Sequence, residues 1–229
     1  MRTLLRTLIP GLGLALALSG CLKLDIDGKV GTDGKVDGTM VVGFNAQMMA
    51  MLSSISSLDS TPGKKPQNAD DIWKKAVVDA KKTKGVTDAK RYNKNGFDGL
   101  QISFKGVSPE QVINLGNDST SVATETNRNA TPSKSKLTIV RKGDTMVLNG
   151  VLDMGGGTAG AGGGTGGLDT GDLTKSMAGA LKAAKPELRI KFTFPGNVSK
   201  SNGKISGHSV TWTPELGKNL TMTAEAKAS

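Results

Sequence analysis

The sequence has very few residues of the kinds that most metal sites and many catalytic sites require. Its 229 residues include one cysteine, Cys21, and one histidine, His208. A single cysteine excludes an internal disulfide, and one cysteine with one histidine leaves a zinc site short of ligands. The G-x-S-x-G signature of a serine nucleophile does not occur either. We therefore expect a protein that is not an enzyme and that holds no metal or cofactor.

Long apolar runs are equally scarce, and the one apolar stretch is too short to cross a bilayer. It covers residues 8–18 and follows the positively charged Arg2 and Arg6. A transmembrane helix needs ~20 apolar residues, so residues 1–20 are predicted to be a cleavable signal peptide. The remaining sequence has no second apolar run of this kind, so we expect no second membrane anchor.

The signal peptide ends in Leu18-Ser19-Gly20-Cys21, which is the pattern of a lipobox. In this pattern the cysteine thiol receives a diacylglyceryl group, with acyl chains such as palmitate, and the chain is cut before the cysteine. Two or more acyl chains anchor a protein firmly, since each buried methylene adds roughly 0.8 kcal/mol. The sequence thus predicts a lipoprotein whose residues 21–229 lie on the extracytoplasmic face of the cell membrane. The competing interpretation is a buried free thiol after a chance apolar leader.

The charge of the sequence is strongly positive. The formal net charge is +10, and removal of Arg2 and Arg6 with the signal peptide lowers it to +8. Outside the cytoplasm a basic surface meets few nucleic acids, so anionic lipid headgroups are the expected partner and nucleic acid is not. The alternative is a basic surface that is merely well solvated.

Alternation of apolar and polar residues predicts strands over much of the chain. Turn residues such as Asp33-Gly34, Lys142-Gly143 and Asn202-Gly203 join these strands as hairpins. Helix signals occur in four segments, namely 47–58, 68–84, a segment that starts at Ser108, and 169–184. We therefore predict an α+β fold in which an antiparallel sheet built from hairpins carries several helices packed on it.

Two polar or glycine-rich segments are predicted to lack regular structure. Residues 117–135 are polar and are expected to form a surface loop. Residues 155–167 contain nine glycines and are expected to be a flexible linker. Within that tract Gly162 to Gly167 formally satisfies G-x-G-x-x-G, but such a match arises by chance in so many glycines.

A shorter pattern near the N-terminus resembles the start of a calcium-binding loop. Asp25-Ile26-Asp27-Gly28 has the right opening, but Lys29 occupies the next ligand position and no glutamate follows at the end of the loop. We interpret the Asp-Gly pairs as hairpin turns instead.

The segment 68–84 is the clearest amphipathic helix. Apolar residues such as Ile72, Trp73 and Ala76 share one face. Four lysines lie broadly opposite: Lys74, Lys75, Lys81 and Lys82. The functional interpretation is a basic face that contacts anionic headgroups, with each lysine contributing roughly 1 kcal/mol near the surface. The competing interpretation is a core-packed helix with a solvated lysine face.

Several short motifs along the mature chain resemble the LppM family of actinobacterial lipoproteins. They are the lipobox itself, Asp33-Gly34-Lys35-Val36-Asp37-Gly38, Asn95-Gly96-Phe97-Asp98-Gly99, Phe194-Pro195-Gly196-Asn197-Val198, Ser201-Asn202-Gly203 and Val210-Thr211-Trp212. The resemblance implies an extracytoplasmic α+β domain without known catalytic activity that engages lipids or glycolipids of the envelope. Many members add a C-terminal membrane helix, which this sequence lacks, so Cys21 is expected to be the sole anchor.

Two functional hypotheses follow from these observations. The first is a non-enzymatic envelope lipoprotein that binds a lipid or glycolipid in a pocket between sheet and helices. The second is a structural or protein-partner-binding module without a small ligand. A closed apolar cavity of several hundred Å³ would favour the first, and a filled core with an exposed apolar patch would favour the second.

Overall fold

The computed structural model describes residues 20–50, 69–121, 135–153, 186–216 and 218–228. The strands are β1 (Leu22–Val30), β2 (Val36–Asn45), β3 (Val86–Lys94), β4 (Phe97–Val107), β5 (Lys136–Lys142), β6 (Thr145–Asp153), β7 (Glu187–Thr193), β8 (Val198–Ser201), β9 (Lys204–Ser206), β10 (Ser209–Trp212) and β11 (Asn219–Lys227). The helices are α1 (Ala69–Lys82) and α2 (Pro109–Ser121), and residues 46–50 are also helical. The α+β prediction is confirmed in this broad form.

The strands form two sheets rather than the one sheet that we predicted. The larger sheet has the order β3-β4-β2-β1-β7-β10-β9, and the smaller one has the order β5-β6-β11-β8. The larger sheet is mixed, because β1 and β7 pair in parallel from Lys23↔Glu187 to Lys29↔Thr193. Local turn signals specify hairpin neighbours, whereas a parallel pair joins distant segments. The prediction of one purely antiparallel sheet is therefore wrong in both the number of sheets and the direction of this strand pair.

The described ranges contain helices at three of the four predicted segments. In the described ranges they comprise residues 46–50, α1 and α2, and the prediction for 169–184 lies outside those ranges. The predicted loop at 117–135 is wrong at its start, because α2 continues to Ser121. Ser108 begins this helix as expected, since its Oγ accepts a hydrogen bond from the Gln111 N–H at 3.2 Å. The polarity of residues 117–121 therefore did not mark the end of the helix.

The core lies between the inner faces of the two sheets. The larger sheet contributes side chains such as Met40, Ile190 and Phe192, and the smaller one contributes Leu148 and Met222. All five are among the most deeply buried side chains of the protein. Burial of large apolar side chains from both sheets provides the main stabilisation of a sandwich.

A second apolar cluster holds α1 against the edge of the larger sheet. Trp73 and Ala76 of the helix pack on Leu100, Ile102 and Ala89. The Trp73 ring also stacks against Phe44 with 6.2 Å between ring centroids. This confirms the predicted apolar face of the helix.

Gly28 shows that one of the Asp-Gly pairs is not a turn. It lies inside β1, and a Cβ placed there would be 2.7 Å from the ring of Phe192. Asp33-Gly34 does form the predicted turn, since Gly34 has a φ of 78° and the Gly31 N–H donates to the Lys35 carbonyl at 2.8 Å. The interpretation of Asp27-Gly28 as a turn is therefore wrong. The glycine there makes room for an aromatic ring of the core.

Asn202-Gly203 also differs from the predicted hairpin. The strand before it, β8, belongs to the smaller sheet, and the strand after it, β9, belongs to the larger sheet. The chain thus crosses from one sheet to the other at this point. By contrast, Asn95-Gly96 is a two-residue hairpin turn between β3 and β4, with φ values of 56° and 78°.

Candidate functional site

Cys21 lies directly before the first strand and is fully buried. Its carbonyl accepts a hydrogen bond from the Asn45 N–H at 3.0 Å, and the next residue, Leu22, pairs with Phe44. Burial raises the pKa of the Cys21 thiol, although a backbone hydrogen bond opposes the effect. A thiol in this environment stays protonated and is a poor nucleophile or metal ligand.

The four lysines of α1 all lie on the exposed side of the helix, opposite the buried Trp73 and Ala76. They are Lys74, Lys75, Lys81 and Lys82. Lys82 pairs with Asp79 at 3.1 Å, and Lys81 lies 3.8 Å from Asp88 of β3. Exposed pairs of this kind contribute little to stability.

The net positive charge of α1 is smaller than its four lysines alone suggest. The helix carries these four lysines together with Asp70, Asp71 and Asp79, so its formal charge is +1. Asp70 and Asp71 stand in the first turn, near the positive end of the helix dipole, and Lys81 and Lys82 stand near the negative end. The helix therefore presents local positive charge without being a strongly basic element.

Arg91 fixes the first turn of α1 to the sheet, and the sequence pattern did not reveal this. Its guanidinium donates to both carboxylate oxygens of Asp98, with Nε to Oδ1 at 2.8 Å and Nη2 to Oδ2 at 2.7 Å. It also donates to Asp70 of the helix. The hydrogen bonds that Arg91 donates to Asp98 and then to Asp70 raise the pKa of Arg91 further above its ordinary value.

A row of charge pairs crosses the outer face of the larger sheet. The parallel register places Lys23 beside Glu187, Asp25 beside Arg189, and Asp27 beside Lys191. These residues form ion pairs in that same order. The Arg189–Asp25 contact is bidentate, with Nε to Oδ1 at 2.9 Å and Nη2 to Oδ2 at 3.0 Å. The hydrogen bond to Glu187 is the largest effect that raises the pKa of Lys23.

Sequence reasoning missed this row, which we call the β1–β7 charge row. Its six members are Lys23, Asp25, Asp27, Glu187, Arg189 and Lys191. The sequence does contain a signal for it, because every second residue of β1 over residues 23–27 is charged and the matching residues of β7 carry the opposite charge. It has meaning only once the two strands are known to be parallel neighbours, because that register brings opposite charges side by side.

A depression of about 340 Å³ opens beside the charge row on the outer face. Most of its lining residues have charged or polar side chains, among them Asp25, Asp27, Asp37, Thr39 and Arg189. The carboxylates accept hydrogen bonds and the guanidinium donates them, so the surface suits a ligand rich in hydroxyl groups or charge. This depression lies on the outer face of the sheet and not between sheet and helices.

The remaining candidate groups do not gather into a reactive cluster. His208 is exposed beside β10, and its carbonyl accepts a hydrogen bond from the Phe194 N–H at 2.8 Å. Within the described ranges no three His, Cys, Asp or Glu side chains are placed to hold a metal ion. Among those same residues no helix has the length and apolarity needed to span a membrane.

These features define a two-sheet α+β domain with a polar, charge-paired outer face and one lysine-bearing helix at its edge. The LppM domain model matches residues 23–228, which is nearly the whole chain, so the chain belongs to the LppM family. Membership associates it with lipoproteins of the cell envelope.

The chain is similar to the folded domain of LppM from Mycobacterium tuberculosis, solved by NMR, with 18% sequence identity and a TM-score of 0.47. The similarity covers 91% of each chain. No curated protein matches the sequence.

Proposed function

We propose that this protein is a non-enzymatic lipoprotein of the bacterial envelope, attached to the membrane through acylated Cys21, whose domain binds a lipid or glycolipid headgroup. The observation that carries the anchor is the position of Cys21. It ends the lipobox and stands directly before β1, so the predicted cleavage leaves the folded domain intact. Membership of the LppM family supports the envelope assignment.

Acylation of Cys21 fits the geometry if it precedes the docking of this residue on the sheet. In the folded precursor the thiol is buried and its raised pKa makes it unreactive. Cleavage turns Cys21 into the first residue of the chain. Its hydrogen bond with Asn45 is made by the backbone carbonyl, so modification of the side chain removes neither this bond nor the pairing of Leu22.

The polar depression supports binding of a headgroup rather than of an acyl chain. The described core between the sheets is filled by side chains such as Phe192 and Met222, each nearly inaccessible. The depression beside the charge row offers Asp25, Asp37 and Arg189 to a polar ligand. A sugar or charged headgroup has the hydrogen-bonding groups that such a surface requires.

A protein-partner-binding module is the second candidate, and three valines on the outer face of the smaller sheet favour it. Val140 and Val151 are 50% and 41% exposed, and Val140 pairs across the strands with Val147. An apolar group on an outer face is typical of contact with another protein.

Native mass spectrometry of the protein extracted from its own host in mild detergent distinguishes the two candidates. We expect an acylated chain that carries an additional lipid or glycolipid mass. The variant Arg189→Gln should lose this mass, because it removes a donor from the depression. Lys142→Gln, which removes the same charge from an exposed site on the smaller sheet, should retain it. A chain without added lipid mass that copurifies with a defined protein would support the partner-binding module.

A further inference from the structure

We infer that the end of the larger sheet that contains Cys21 rests against the bilayer, with the β3–β4 turn at the level of the lipid headgroups. This inference rests on the proposed acylation of Cys21. It adds an orientation: which surface of the domain contacts lipid and which surface points away from the membrane.

No spacer separates the proposed anchor, Cys21, from the folded domain. Leu22 already belongs to β1 and pairs with Phe44, and the Asn45 N–H donates to the Cys21 carbonyl. A lipoprotein with a long linker moves freely above the membrane. Here the attachment is one side chain long, so the end of β1 stays within a few ångströms of the headgroups.

The strand register shows which other residues lie at that level. Asn45 of β2 pairs with Phe97 of β4, and Phe97 pairs with Lys94 of β3. The β3–β4 turn, Asn95-Gly96, therefore extends from the same end of the sheet as Cys21. Lys94 and Asn95 are exposed there.

The charges at this end are largely paired within the domain. Asp98 and Glu187 form ion pairs with Arg91 and Lys23, and Asp70 in the first turn of α1 also pairs with Arg91. Exposed Lys94 adds positive charge beside the turn. A lysine held at the headgroup level interacts favourably with anionic lipid.

The opposite end of the sheet is far from the anchor. β1 has nine residues, and a strand rises ~3.3 Å per residue, so the β1–β2 turn with Thr32 lies about 30 Å from Cys21. Thr32 and Asp33 of this turn are exposed and should point away from the membrane.

The helix α1 runs from the anchor end toward the far end. Its first turn contacts Arg91 through Asp70, and near its last turn Lys81 lies beside Asp88. Across the sheet, Asp88 of β3 pairs with Ser103 of β4, and Ser103 pairs with Thr39 of β2. Thr39 in turn pairs with Asp27 of β1, so Asp88 lies at the level of Asp27. Asp27 is six residues along β1 from Cys21, which corresponds to about 20 Å. Lys81 and Lys82 therefore stand well above the headgroups in the anchored protein.

The test places a fluorophore at each end of the acylated, full-length protein. The variants Lys94→Cys and Thr32→Cys each add one exposed thiol, while acylation protects Cys21 from the label. The proteins are reconstituted in vesicles of phosphatidylcholine and phosphatidylglycerol that contain lipids with a nitroxide on the headgroup. Intact mass measurement verifies the acyl groups, and the parent protein gives the background labelling.

We expect the label at position 94 to be quenched several-fold more strongly than the label at position 32. Equal quenching at both sites, or stronger quenching at position 32, in an acylated protein would overturn the orientation and leave the proposed anchor intact. An intact mass without acyl groups would overturn the anchor, and the orientation with it.

Discussion

The side-chain amide of Asn202 and the indole of Trp212 join the two sheets where the chain crosses between them. The Trp212 Nε1–H donates to Asn202 Oδ1 at 2.9 Å, and the Thr223 N–H donates to the same oxygen at 2.9 Å. The Asn202 Nδ2–H donates to the Thr221 carbonyl at 2.7 Å. Trp212 belongs to the larger sheet and Thr221 and Thr223 to the smaller one. One polar side chain thus fixes the position of one sheet on the other.

Replacement of Asn202 should destabilise the domain. Asn202→Ala leaves the buried Trp212 indole N–H without its acceptor, and an unsatisfied buried donor costs roughly 1–3 kcal/mol. The free energy of unfolding from urea denaturation measures the loss. Asn149→Ala, at an exposed position of β6, is the matched control and should change the free energy by less than about 0.5 kcal/mol. Equal effects of the two variants would contradict the role of Asn202.

A side chain at Gly28 should overpack the core. In Gly28→Ala the new Cβ meets the Phe192 ring at 2.7 Å and Val36 at 2.9 Å, and overpacking of this kind costs roughly 1–3 kcal/mol. Gly43→Ala is the control, since its Cβ meets its nearest neighbours at 3.4 Å. Thermal unfolding compares the two. Adding Phe192→Leu to Gly28→Ala should recover part of the loss, and a strictly additive result would argue against a direct clash.

The anchor is tested by Cys21→Ser. Cys21 is the only cysteine of the sequence, so this variant removes the proposed acylation site. We expect the protein to leave the membrane pellet and to move from the detergent phase to the aqueous phase on phase partitioning. A serine variant that still sediments with membranes after a high-salt wash would disprove attachment through Cys21.

The domain should fold without its lipid. Cys21 lies before the first strand, since β1 begins at Leu22, and its carbonyl accepts a hydrogen bond from the Asn45 N–H. A protein that starts at Leu22 is therefore expected to be a soluble monomer with a sheet-rich circular dichroism spectrum and a cooperative thermal transition. A spectrum of a disordered chain would show that the leader or the lipid is needed for folding.

The soluble domain is expected to associate with anionic vesicles, more weakly as salt rises, because charges are screened beyond a Debye length of ~10 Å at 0.1 M. Changing the four lysines of α1 (Lys74, Lys75, Lys81 and Lys82) to glutamate should abolish this association without unfolding, since the buried face of the helix is untouched. Vesicle cosedimentation measures it. The same change at four exposed lysines on other strands, Lys136, Lys142, Lys200 and Lys204, is the control with equal loss of charge. If both variants bind equally weakly, net charge and not α1 governs the association.

Local patterns in the sequence were sufficient for several features of this protein. The alternation around Asp33-Gly34 and around Lys142-Gly143 predicted hairpins, because these turns need residues that tolerate a positive φ. The periodicity of α1 predicted which face is buried, and Trp73 and Ala76 are on that face. Each of these signals depends on residues close together in the chain.

What the tertiary structure decided depends on contacts between distant segments. The parallel pairing of β1 with β7 joins residues 164 positions apart, as in the Arg189–Asp25 pair, and no turn signal encodes it. That pairing creates the charge row and the depression beside it. Likewise Asn202-Gly203 has the sequence of a hairpin turn. The side chain of Asn202 forms hydrogen bonds with both sheets, and the chain passes from the smaller sheet to the larger one at this point. Turn chemistry determines that a chain reverses, whereas the packing of apolar faces determines which strand it then joins.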